Sequence, residues 1–145
     1  MSEAAISPPE VKSEAAPITA IVTMLPVSDM ERSVKFYRLL GLEIGNRQPH
    51  EGTPHWVWLY APKAQDWKRG ANLMLVRAGG AVIPNGQMLF YLYATDLVAL
   101  RNQLLARGVK AGEIEYPEYL PKGECKVLDP DGYVLMLAQS YEQSP

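Results

Sequence analysis

The sequence predicts an α+β domain made of two βαβββ modules, whose curved mixed sheet surrounds a concave cup with the helices outside. Three observations carry this. A strand, cap, helix and closing glycine occur twice at one internal spacing. Extended segments follow each helix. The length of 145 residues suits one domain with a sizeable core.

The elements follow in chain order. Residues 1–17 are rich in Ala, Ser, Pro and Glu and read as a flexible tail. Ile18 to Leu25 is β-branched and apolar, as a strand should be. Ser28 and Glu31 have the spacing of a capping box, in which Ser28 accepts from the backbone of Glu31. Met30, Val34, Tyr37 and Leu40 form one helical stripe, and Gly41 supplies the left-handed stop. Extended segments are expected at Leu42 to Arg47, His55 to Tyr60 and Ala71 to Arg77, completing module one at 18–78. Residues 79–86, with Gly79-Gly80 and Pro84-Asn85-Gly86, form a linker.

Module two, at 87–140, repeats the plan. Gln87 to Ala94 reads as a strand, Thr95 or Asp96 can cap, Leu97, Leu100 and Leu104 form the stripe, and Gly108 ends the helix. Asp29 to Gly41 and Asp96 to Gly108 are the same separation, offset by 67 residues. Further strands are expected at Gly112 to Tyr116, Glu124 to Leu128 and Tyr133 to Gln139, the last two joined by the turn Asp129-Pro130-Asp131-Gly132. Residues 141–145 are a short tail.

Composition removes several function classes. A formal net charge of −2, with no block of like charge, argues against nucleic acid or an anionic membrane as partner. The apolar stretch Ile18 to Val27 is about half a bilayer span. Glu3, Glu10 and Glu14 against Lys12 give the leader the wrong charge for a secretion signal. Cys125 is the single cysteine, so no internal disulfide can form and a reducing, cytoplasmic location is expected.

Two segments carry a family resemblance. Leu25-Pro-Val-Ser-Asp-Met-Glu-Arg-Ser-Val-Lys-Phe-Tyr-Arg-Leu-Leu-Gly-Leu42 is similar to the first helix of the vicinal-oxygen-chelate superfamily of glyoxalases, bleomycin-resistance proteins and extradiol dioxygenases. Val127-Leu-Asp-Pro-Asp-Gly-Tyr-Val-Leu-Met-Leu137 resembles its closing hairpin. The resemblance implies a cup holding a divalent metal through His or Glu from four strands. It places those ligand positions at Val22, Met74, Leu89 and Met136. Hydrocarbon and thioether side chains do not bind hard or borderline divalent ions, so neither a metal nor another cofactor is expected. His50 and His55 flank a Gly-Thr-Pro turn and read as loop histidines, since no further ligands accompany them. Cys125 beside Lys126 is either a packed strand thiol or one with a lowered pKa. No catalytic residue is legible.

Strand alternation then assigns candidate ligand-binding residues. The register that turns Leu89 inward also turns Tyr91 and Tyr93 inward, while Val22 carries Met24. Trp56, Trp58 and Tyr60 share one face of their strand, either the cup or a packing surface. With Met74 and Met136, these line a cavity suited to a flat, partly apolar compound. Glu113, Glu115, Glu118 and Glu124 outnumber Lys110 and Lys122 in the second half. They either form a solvated face or favour a cationic ligand. The resemblance points to the branch that sequesters compounds without chemistry, commonly as homodimers. An isomerase, lyase or dioxygenase-like enzyme acting on a small hydrophobic substrate, and a scaffold with a filled cup, are the alternatives.

Overall fold

Two aspartates start the two helices. The computed structural model describes residues 17–64 and 70–141. Within them, the Asp29 side chain accepts from the Arg32 backbone N–H at 3.1 Å, and the Asp96 side chain accepts from that of Ala99 at 3.0 Å. The expected Ser28 capping box is therefore displaced by one residue. Asp29 caps because its carboxylate reaches the first turn, and Ser28 turns instead to Asp131 of the other module. The helices are α1 (Met30–Leu39) and α2 (Leu97–Ala106), and Gly41 and Gly108 follow them at φ +90° and +82°.

The strands are β1 (Met24–Val27), β2 (Glu43–Gln48), β3 (Trp56–Tyr60), β4 (Asn72–Arg77), β5 (Leu89–Ala94), β6 (Glu124–Leu128) and β7 (Val134–Gln139). They form two mixed sheets, ordered β1-β4-β3-β2 and β5-β7-β6, with β1–β4 and β5–β7 parallel. The fold class is α+β, as expected.

Two expected strands differ. The one expected from Ile18 shrinks to Met24–Val27, the stretch with ladder partners on β4; Ile18 and Ile21 are exposed. Pro26 fits there because β1 is an edge strand. Gly112 to Tyr116 forms no strand: Glu115 bridges Glu124, and the preceding Ala111 bridges Val127, both on the outer edge of β6. Most of the expected tails, residues 1–16 and 142–145, lie outside the described residues.

Side chains of both modules join one core. Met30, Val34 and Tyr37 of α1 and Leu97 and Leu104 of α2 are buried with Val57, Leu59, Leu75, Val127, Leu135 and Leu137 from the strands. At the seam, Asp129 accepts from Tyr37 Oη at 2.7 Å through Oδ2 and from the backbone N–H of Asp131 and Tyr133 through Oδ1. Tyr133 Oη donates to the Pro26 carbonyl at 2.7 Å. Burial raises the Asp129 pKa above the usual carboxylate value, against the lowering effect of these hydrogen bonds. Burial and the adjacent Asp129 push the Tyr37 phenol well above its ordinary range.

Candidate functional site

Residues opposite one another in a ladder point to the same side of the sheet, so register settles the faces. In the first sheet Met24, Met74 and Trp58 are register partners, as are Pro26, Val76 and Trp56. The tryptophans therefore share a face with two candidate methionines. The alternate residues Leu25, Leu75, Val57 and Leu59 turn to the core.

Trp58 is held on several sides. Its ring stacks on Tyr60 with centroids 5.1 Å apart and planes 4° from parallel, and its Nε1 donates to Asn72 Oδ1 at 3.3 Å. Asn72 in turn donates to the Gly70 carbonyl. The remaining side is made by Gly45, at an irregularity in the β2–β3 pairing. A β-carbon there would lie 2.3 Å from the Trp58 ring. Sequence reasoning placed Trp58 and Tyr60 on one face but missed Gly45, because nothing in the order of residues relates it to a strand eleven or more residues away.

In the second sheet Leu89 pairs with Val134, Tyr91 with Met136, and Tyr93 with Ala138. Leu89, Tyr91 and Tyr93 are 49%, 38% and 63% exposed, and Met24 is 51% exposed, so the candidate faces are open to solvent at these residues. The Tyr91 and Tyr93 rings are 6.4 Å apart. The candidate residues thus gather in two groups on two sheets: Met24, Trp56, Trp58 and Met74 on one, and Leu89, Tyr91, Tyr93 and Met136 on the other. Val22 precedes β1 and belongs to no strand.

A cleft of about 730 Å³ lies between the modules. It is lined by Leu25, Tyr37 and Leu73 of module one and by Phe90, Leu92 and Leu135 of module two, among others. Leu89, Tyr91 and Tyr93 border it, but the tryptophans and Met74 do not. It runs along β5, whose outer edge has no strand partner among the described residues.

Among the described residues, no three His, Cys, Asp or Glu side chains gather as a metal site would require. His50 and His55 are exposed. Cys125 is buried, and that burial raises its thiol pKa, so the packed reading of this residue fits and the activated one does not. Of the four glutamates, Glu113 is exposed and pairs with Arg101, Glu115 and Glu118 are exposed, and Glu124 is buried. No helix among the described residues is long and apolar enough to cross a membrane.

This architecture has known relatives. The glyoxalase/bleomycin resistance protein/dioxygenase superfamily model matches residues 19–137, and the chain belongs to that superfamily. Among solved structures, a bleomycin resistance determinant encoded on transposon Tn5 is 20% identical with a TM-score of 0.66, over 86% of this chain and 100% of that one. TnmS3, an antibiotic binding protein from Streptomyces sp. CB03234, is 29% identical with a TM-score of 0.64, over 86% and 98%. A bleomycin-binding protein complexed with bleomycin is 20% identical with a TM-score of 0.62, over 85% and 99%. No curated protein matches the sequence.

Proposed function

We propose that this protein binds a flat, partly apolar small molecule and holds it without metal chemistry. The observation that carries the reading is Trp58, fixed between Gly45, Tyr60 and Asn72 on a sheet face that ends in no core. An aromatic surface ordered before binding loses little side-chain entropy on contact. Bleomycin-binding and antibiotic-binding structures with the same architecture support small-molecule binding. The residues at the superfamily's metal positions do not fit the ion, because Val22, Met74, Leu89 and Met136 offer no nitrogen or oxygen donor.

The same geometry supports a homodimer. One chain presents two partly exposed faces, aromatic and methionine-rich, and outer edges of β1 and β5 that are unpaired among the described residues. A second copy that sets module two of one chain against module one of the other would cover both faces and make two equivalent clefts. Native mass spectrometry of freshly purified protein tests these points together. The expected species is about twice the chain mass of 16.1 kDa, with no stoichiometric divalent metal. One tightly held Zn, Fe, Mn or Ni per chain would overturn the metal-free reading, and a monomer over a wide concentration range would overturn the dimer.

Binding itself is read by quenching of tryptophan fluorescence with a panel of planar dyes. Trp56→Ala and Trp58→Ala should each weaken binding several-fold, since a stacked contact contributes on the order of 1 kcal/mol. If both variants stay folded and bind every hit as wild type does, the tryptophan face is not the site. Recovery of a chemically altered dye would point to an enzyme instead.

A further inference from the structure

Glu124 has a buried polar atom with no hydrogen-bond partner among the described residues. Its ladder partner is Ala138, whose other partner is Tyr93, so the glutamate lies on the face that carries Tyr91, Tyr93 and Met136. The residue is only 5% exposed. Its Oε2 accepts from Tyr119 Oη at 2.8 Å, and the Tyr119 phenol interacts electrostatically with that of Tyr91. Its Oε1 is buried and has no hydrogen-bond partner among the described residues.

A buried carboxylate with half its accepting capacity unused is costly, and folded proteins keep such groups mainly where something else completes them. We propose that Glu124 is the anionic anchor of the ligand site, receiving a protonated amine from a compound whose ring system stacks on Tyr91 and Tyr93. This rests on the reading of the open faces as a ligand site, and it names the ligand class as an aromatic cation with an amine-bearing arm. Glu124 and Tyr93 are two strand spacings apart, about 10 Å between backbones, which a stacked ring system and a short aminoalkyl arm together span. Tyr119 covers the carboxylate but is itself 68% exposed, so its ring can turn outward and yield its place to an ammonium N–H. A charge-assisted hydrogen bond replaces a neutral phenol there. Lys126 lies on the same face but is exposed, unlike Glu124.

The test uses a matched pair of probes, an aminopropyl-acridine and its N-acetylated counterpart, titrated against the full chain by tryptophan quenching. Wild type should bind the amine about tenfold more tightly than the acetylated compound. Glu124→Gln should remove most of that preference, and Tyr119→Phe should retain it, because the carboxylate remains. Equal affinity of wild type for the two probes, or a preference that survives in a folded Glu124→Gln variant, overturns the anchor. Should Glu124→Gln fail to fold, the wild-type preference and its retention in Tyr119→Phe decide the matter. If both probes bind equally and Trp58→Ala weakens both, the ligand site stands and only the anchor falls. If neither probe binds, the ligand-site reading falls and the anchor with it.

Discussion

Asp129→Ala should lower folding stability by about 3 kcal/mol, whereas Asp129→Asn should cost about 1 kcal/mol, with denaturant unfolding as the measurement. The alanine removes the acceptor for Tyr37 Oη and for the N–H groups of Asp131 and Tyr133. It leaves the Tyr37 hydroxyl, in a residue 1% exposed, with nothing to receive its hydrogen. The damage spreads because the same turn presents Asp131 to Ser28 and Arg32 of module one. Asparagine keeps the Oδ1 acceptor for the two backbone donors and disturbs only the contact with Tyr37. The pH dependence has a definite sign. Burial raises the pKa of Asp129 above 3.8, so its folded form holds a proton that the unfolded chain has begun to release. Its contribution is therefore full below that value and declines as pH rises through the folded pKa. Wild type should exceed Asp129→Asn by most at low pH, with the gap narrowing toward neutrality. A gap that widens with pH would show that the carboxylate, not the acid, is the form the seam prefers.

Gly45→Ala should cost about 1–3 kcal/mol of stability and, in the protein that remains folded, weaken dye binding about tenfold or more. The new β-carbon would sit 2.3 and 2.4 Å from two atoms of the Trp58 ring and 2.9 Å from Tyr60. The ring cannot simply slide, because Tyr60 stacks on it and Asn72 holds its nitrogen. Displacing Trp58 removes the ordered surface on which the binding proposal rests. The backbone at Gly45 has no positive φ, so the requirement is for space alone. Thermal melts and fluorescence titration check the two effects separately. Wild-type affinity in a folded Gly45→Ala protein would show that the ligand does not use Trp58. Wild-type stability would show that the ring relaxes without resistance.

The repeat was legible in the sequence because its signals are local. A cap, a stripe and a closing glycine are set by residues within one or two turns, so Asp96, Leu97, Leu104, Gly41 and Gly108 are found where their spacing puts them. The family followed from two such segments. The choice between Ser28 and Asp29 as cap was not local, because Asp131, more than a hundred residues on, draws Ser28 away. The length of β1 was likewise decided elsewhere, since Ile18 to Val22 has strand composition but no ladder partner among the described residues. Alternation grouped Trp56 with Trp58 and Tyr91 with Tyr93. Only the registers Met24–Met74–Trp58 and Tyr91–Met136 showed which neighbours share those faces. By itself the sequence determined the repeated cap, helix and closing glycine and the closing turn. Tertiary structure alone decided that Glu124 is buried beside the tyrosines, that Gly45 makes room for Trp58 and that Asp129 ties the modules together. Each depends on atoms brought close by strand pairing between distant residues, and that proximity is a property of the folded chain.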